Sequence, residues 1–317
     1  VKKEINLKIK LDAKAEIFQT LSSHFEHIEV DNGISKVKNK LTNTTPMVIH
    51  GNGGPRSKTF IDKLCNYINT KYRHIYGYKD NHTNLSKLKT DEINYPKIYI
   101  TIMVDKKELF THFTEFFKQS YPNKSLIYHV LNVTGENLQE EIESLQKEYS
   151  TLIYLTNLSN DCDKLRTFYV ILMRSMQHIY DYIYIGHIRH IIKDINWIRK
   201  AVCSNLDVVA NMLNGKNNKY FSNFWGEVDE STGYYKRSWD YMELIERNYK
   251  GYWNVPYISS SMLIHKNKWN QIIKAINNEN IMEREITNFD MYFCRCLQLR
   301  GIFMYISNYD NYGYIWD

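Results

Sequence analysis

The alternation of apolar and polar positions changes character along the chain. At the start, "EINLKIKLD" (4–12) alternates in twos, as a strand with one buried face does. "AEIFQTL" (15–21) is a short apolar piece, and "PMVIH" (46–50) predicts a buried strand. "HIEV" (27–30) and "ISKVKN" (34–39) flank Asp31-Asn32-Gly33 and predict a hairpin. In "SKTFIDKLCNYINTKY" (57–72), Phe60, Ile61, Leu64, Tyr67 and Ile68 recur at the spacing of an amphipathic helix. Residues 73–96 are polar and turn-rich and end in "NYP", which reads as a linker.

From residue 97 the apolar runs lengthen. "KIYITIMV" (97–104) is nearly continuous and β-branched, the signature of a strand buried on both faces. Helix-like "KELFTHFTEFFKQSY" (107–121) stops at Pro122 and is followed by strand-like "SLIYHVLNV" (125–133). The alternation continues through "ENLQEEIESLQKEY" (136–149, helix), "STLIYLTN" (150–157, strand), "DCDKLRTFYVILMRSMQHI" (161–179, a helix capped by Asp161 or Asp163) and "YDYIYIGH" (180–187, strand). "IKDINWIRKAVCSN" (192–205) predicts a helix and "LDVVANML" (206–213) a strand. After Tyr220 the chain turns aromatic and irregular, then closes with a helix in "NFDMYFCRCLQLRG" (288–301) and a strand in "IFMYISN" (302–308). Strands and helices alternating at this spacing predict an α/β domain with a mainly parallel sheet flanked by helices.

Composition adds bounds. At 317 residues, two domains are expected. Hydrophobic content of 43% can fill a sizeable core. No run of about 18 apolar residues is present to span a membrane. The first residues have no signal-peptide h-region, so a leader, if the parent protein is secreted or lumenal, lies upstream. The charge of +6 is diffuse; it suits an anionic ligand such as a nucleotide and does not argue for nucleic acid. Five cysteines show no zinc spacing and read as buried thiols, with one disulfide left open. Asn132 and Asn157, two of the six N-x-S/T sites, follow strand-like runs where a glycan has no room.

Two segments carry candidate chemistry. "VIHGNGG" (48–54) ends a strand in His50 and follows it with three glycines in four positions. In nucleotide-sugar transferases of the GT-A type, carboxylates of an Asp-x-Asp pair hold Mn²⁺ against the departing diphosphate, and a later strand often ends in a histidine ligand. Glycines after it let the backbone approach the diphosphate. On local sequence alone an ordinary strand followed by a glycine turn is the better account. The second domain's own metal strand would be "YIYIGHIRH", yet Gly186-His187-Ile188 stands where the acidic pair is expected. His187 and His190 are spaced to share one side of a helical turn, two imidazoles make a poor cradle for Mn²⁺, and Asp194 is too far along. Asp290, at the start of the closing helix, takes the position of an acceptor-facing base; complementing the helix dipole explains it equally well. No His-x-Asp, G-x-S-x-G or P-loop motif is present.

Three stretches carry a wider resemblance. "VIHGNGG…LCNYI", "FSNFWGEVDESTGYYKRSWDYMELIERNYKGYWNVPYISSSMLI" (221–264) and "FDMYFCRCLQLRGIFMYISN" (289–308) resemble the procollagen lysyl hydroxylase/collagen glycosyltransferase family, with a composition similar to its giant-virus members. The resemblance implies that residues 1–54 are the C-terminal part of a GT-A glycosyltransferase domain. It makes 55–96 a helix and linker, and 97–317 a GT-A-like (Rossmann-like) accessory domain without the Asp-x-Asp metal motif. It implies a retaining transferase that moves glucose from UDP-glucose to galactosyl-hydroxylysine of collagen, using Mn²⁺. His50 is then a metal ligand, Gly51, Asn52 and Gly53 lie near the UDP-sugar, and the Asp-rich motif lies before Val1. It further implies the endoplasmic reticulum lumen or secretory pathway, a collagen-like partner and a homodimer. No iron or 2-oxoglutarate site is expected in this chain. Two alternatives stand beside it: a non-catalytic collagen-docking module, with Trp225, Trp239 and Trp253 either on its surface or in its core, and a second domain with its own activity through His187, His190 or Asp290.

Overall fold

Seven apolar residues in a row, "IYITIMV", form strand β5 (Ile98–Val104), buried except at Met103. In the numbering used here β1 is Phe18–Thr20, β2 Ile28–Asp31, β3 Lys36–Asn39 and β4 Val48–His50. The computed structural model describes residues 12–22, 25–31, 36–54, 61, 96–120, 126–149, 152–158, 175, 178–229, 232, 234–278 and 289–316. The strand expected over 4–12, nearly all of the helix over 57–72 and nearly all of that over 161–179 lie outside them. The chain divides into two compact units, Val1–Ile68 and Asn69–Asp317.

In the first unit β1 pairs parallel to β4, and β2 pairs antiparallel to β3 as the expected hairpin. Leu21, Ile28 and Val37 make a small core with Ile49 and Ile61. Buried Asn39 donates to the Gln19 side-chain oxygen at 2.6 Å. β4 departs from the expectation of a buried strand: Met47 is 83% exposed and Val48 47%. Within this two-stranded pairing only Ile49 turns toward the core.

In the second unit β5 continues into α1 (Phe110–Ser120), β6 (Leu126–Asn132), α2 (Gln139–Tyr149), β7 (Leu152–Asn157) and β8 (Tyr182–His187). β9 (His190–Ile192) and α3 (Trp197–Cys203) follow. The helix expected from Ile192 therefore starts later. Ile191 and Ile192 pair in a small sheet, and Asp194 accepts the Asn196 N–H to turn the chain into α3. β10 (Val208–Asn211) and β11 (Asn214–Gly215) precede the aromatic segment, which folds as β12 (Phe224–Trp225), β13 (Glu227–Val228), β14 (Tyr235–Lys236), α4 (Tyr241–Ile245), β15 (Tyr252–Asn254) and β16 (Tyr257–Ile258). β17 (Met262–His265), α5 (Lys266–Asn278), α6 (Phe289–Leu299), β18 (Tyr305–Ser307) and β19 (Gly313–Ile315) close the chain.

The central sheet has eight strands in the order β15-β18-β10-β17-β8-β5-β6-β7. β5, β6, β7 and β8 run parallel, as expected; antiparallel pairings enter through β17 and β15. Two core layers cover its faces. Ile98, Ile100, Ile102 and Val104 belong to the layer with Phe113, Phe117 and Trp197, while Tyr99 belongs to the layer with Phe293 and Trp269 and meets Tyr180 at 5.9 Å. β9, β11 and β19 form a separate three-stranded sheet. At Gly313, φ is +147° and an added Cβ would lie 1.9 Å from the Ile191 oxygen. We expect Gly313→Ala to lower stability by roughly 1–3 kcal/mol or more in urea unfolding.

Candidate functional site

The three glycines after His50 have separate explanations. A Cβ on Gly51 would meet Ile61 Cγ2 at 2.9 Å, so this glycine serves close packing. Gly53 has φ +105°, which favours glycine, whereas Gly54 faces open space. Asn52 is a loop staple: its side-chain oxygen accepts the backbone N–H groups of Leu21 and Ser22 at 3.2 and 3.3 Å. His50 differs from all of these. It is exposed, and among the described residues its ring has only a tilted contact with Phe18, at 5.9 Å between centroids. The strand pairing Thr20↔His50 fixes its backbone while the imidazole projects outward.

In the second unit, the chain passes from β5 to β6 and β7 on one side and returns on the other side of β5 as β8. The crevice beyond the carboxyl ends of β5 and β8 is the topological switch point, where open α/β sheets bind ligands. Four side chains gather there, and two of them carry no motif signal in the sequence: Asp105, directly after β5, and Arg189, two residues after β8. Arg189 Nε donates to Asp105 Oδ2 at 2.7 Å, and both groups are partly exposed. His187 and His190 have ring centroids 6.0 Å apart. They face each other across the turn between β8 and β9, not along a helix. Burial together with the nearby His187 depresses His190 to about 3, so it stays neutral. Its Nδ1 meets the Ser260 and Ser261 hydroxyls at 2.7 and 3.1 Å, and Tyr184 donates to Ser261 Oγ at 3.2 Å.

This crevice does not suit a divalent cation. The guanidinium beside Asp105 already neutralises its carboxylate. A Cβ at Gly186 would lie 2.4 Å from the buried Tyr184 ring, so a carboxylate at that position has no room. Asp194 is held by Lys200 at 2.7 Å. Among the described residues no three His, Cys, Asp or Glu side chains converge as metal ligands. Around His50 the single imidazole suits a metal only when acidic ligands join it from outside those residues.

Asp290 sits in the first turn of α6, and burial pushes it up to about 7. Its charge bears on Tyr257, which stacks on Tyr235 at 4.8 Å. Cys294 and Cys296 on the same helix are both buried. Cys294 donates to the Ile258 carbonyl at 3.3 Å, a thiol serving packing. In the aromatic segment, Trp253 is core, its indole N–H donating to Asn308 Oδ1 at 2.8 Å. Trp225 stacks half-buried on Tyr241. Trp239 departs from a core role at 69% exposed, with Tyr234 at 65% and Tyr249 at 58%. Asn132 is buried and donates to the Asn157 side chain at 2.8 Å, which leaves a glycan no room there, whereas Asn157 at the end of β7 is exposed, against the expectation. No helix among the described residues is long and apolar enough to cross a membrane.

The raised Asp290 favours its protonated form in the folded state, so its penalty is present at neutral pH and disappears as pH falls from about 7 toward about 4. Asp290→Asn should therefore be more stable than the parent at pH 8, with the gap closing by pH 4–5 in urea unfolding. A gap independent of pH would show that Asp290 is ionised at ordinary cost.

The model for "Glycosyltransferase family 25, N-terminal domain" matches residues 80–317, and that for "PLOD GT domain" matches residues 1–78. A Caenorhabditis elegans relative, "Multifunctional procollagen lysine hydroxylase and glycosyltransferase", is 27% identical over 99% of this chain and 43% of its own length. A Gallus gallus relative, "Procollagen-lysine,2-oxoglutarate 5-dioxygenase 1", is 27% identical over 99% of this chain and 43% of its own length. The "Procollagen lysyl hydroxylase and glycosyltransferase" of Acanthamoeba polyphaga mimivirus is 29% identical over 96% of this chain and 29% of its own length. The chain thus spans less than half the length of these relatives. By both family models and by these relatives, the chain belongs to glycosyltransferase family 25, among the procollagen lysyl hydroxylase/glycosyltransferases.

Proposed function

We propose that this chain is part of a collagen-modifying glycosyltransferase that moves glucose from UDP-glucose to galactosyl-hydroxylysine with Mn²⁺. Residues 1–54 supply the end of the transferase domain, 55–96 connect, and 97–317 form an accessory domain. The observation that carries this reading is His50: an outward imidazole at a strand end, inside the segment that matches the PLOD GT model. Mn²⁺, when bound there, would neutralise charge on the departing UDP. In this reading His50 holds one coordination position, and acidic residues upstream supply the others. Gly51 and Gly53 keep the following loop narrow beside the diphosphate. Asn52 is best read as the loop's anchor, leaving its amide N–H groups to face a ligand.

The accessory reading of the second domain is supported by the Asp105–Arg189 pair, in which the guanidinium occupies the carboxylate that a metal would need, and by the crowded Gly186. The names of the relatives support a collagen-like acceptor, and such an acceptor suits a secretory-pathway location. A second reading, a collagen-docking role for this domain, is favoured by the exposed rings of Tyr234, Trp239 and Tyr249.

In a protein extended upstream, His50→Ala should lower Mn²⁺-dependent UDP release at least ten-fold and weaken Mn²⁺ binding. Full activity would remove His50 from the site. His187→Ala and Asp290→Ala should leave transfer intact, and a loss in either would restore a catalytic role to the second domain. For docking, Tyr234→Ala combined with Trp239→Ala should weaken binding of a collagen peptide, and unchanged affinity would dismiss that surface.

A further inference from the structure

A second concavity lies on the three-stranded sheet, built from residues other than those of the strand-end crevice. Its volume is about 480 Å³. β11 and β19 line it with Lys193, the residue after β9, and the chain leaving α4 lines its other side. Lys193, Lys216, Lys219 and Arg247 line it, against the single carboxylate of Glu246. Four cations less one anion leave three positive charges around one space. None of the three lysines forms an ion pair among the described residues.

The cations are positioned, not merely nearby. Lys216 Nζ lies 3.7 Å from the Trp316 ring centroid, and Lys193 Nζ lies 4.9 Å from that of Tyr314. Lys219 Nζ lies 4.8 Å from the ring of Tyr220. Ring faces hold ammonium groups without neutralising them. Arg247 has a left-handed backbone at φ +61°, unusual for a side-chain-bearing residue. Its Nε donates to the Asp310 carbonyl at 3.1 Å and its Nη1 to that of Ile245 at 3.3 Å. Its Nη2 is buried with no hydrogen-bond partner among the described residues. The nearby Asp310 carboxylate is taken by Lys200 at 2.6 Å. Strained backbone and an unanswered buried donor, beside three unpaired ammonium groups, describe a site whose missing component is an acceptor with several negative oxygens.

We propose that this cavity binds a small multivalent oxyanion, held by Lys193, Lys216, Lys219 and Arg247. A multivalent anion relieves the mutual repulsion of the cations and gives Arg247 its missing acceptor. A single exposed lysine pairing with a monovalent ion would be screened away at ordinary salt. The open mouth admits a ligand larger than the anionic group itself.

The test is calorimetric titration of the full chain with inorganic pyrophosphate and, separately, with citrate, without Mn²⁺ or nucleotide sugar. Its outcome is therefore independent of the transferase reading. Saturable, salt-sensitive binding is expected, with tryptophan fluorescence changing as Lys216 leaves the Trp316 ring. The Lys193→Gln, Lys216→Gln, Lys219→Gln triple variant alters exposed side chains, and its thermal unfolding should match the parent. Its affinity should fall at least ten-fold. Preference for pyrophosphate would assign a phosphoryl ligand, and preference for citrate a carboxylate one. Absence of binding of either up to about 5 mM, which is weaker than about 3 kcal/mol, would overturn the proposal. So would unchanged affinity in the triple variant, or a loss found in Arg189→Gln instead.

Discussion

Everything in the larger unit depends on one strand being buried on both faces and both edges. β5 has parallel neighbours on each side, and its side chains alternate between two core layers. At about 25 cal/mol per Å² of apolar surface, a strand with no solvated face is the main source of stability a sheet can have. Its central place also determines where chemistry can happen. The chain leaves it toward β6 and later returns on its other side as β8, so the carboxyl ends of β5 and β8 open a crevice. What fills that crevice here is an ion pair, Asp105 with Arg189, beside a neutral histidine anchored by two serines. A scaffold suited to a nucleotide and metal thus presents a self-neutralised site.

The small unit illustrates the opposite economy. With three buried apolar residues in the core among its described residues, it carries polar staples: Asn52 to the Leu21 and Ser22 amides, Asn39 to Gln19, and the Asp12 carboxylate to the amides of Glu16, Ile17 and Phe18. Those three N–H donors hold Asp12 below the usual carboxylate range. In this setting the glycines around His50 are first of all architectural. What remains without a structural explanation is the imidazole, and it is this side chain that the proposed function uses.

Much of the fold was legible because periodicity is a local property. The runs at 98–104, 126–132, 152–157 and 182–187 are apolar enough that no other element could bury them, and each became a strand of the central sheet. The reading failed where pairing partners distant in sequence decide the outcome. Ile192 looks helical ahead of "NWIRKAV", but Gly313, far along the chain, claims it for a strand. β4 reads as buried from "MVI", yet only one side of it meets a core. The Asp105–Arg189 pair spans 84 positions, so neither residue stands out in its own neighbourhood. Asp290 was visible as a helix-start acid, whereas its raised protonation range depends on burial that no local pattern reports.

The central claim is that the second domain supports a transferase site without performing the transfer itself. The most direct test compares UDP release by this chain with release by a version extended upstream. Both receive UDP-glucose, Mn²⁺ and a galactosyl-hydroxylysine collagen peptide. The account predicts release by the extended protein alone. Release by this chain at a comparable rate would contradict it, and would move the catalytic centre to the crevice of Asp105, His187 and Arg189.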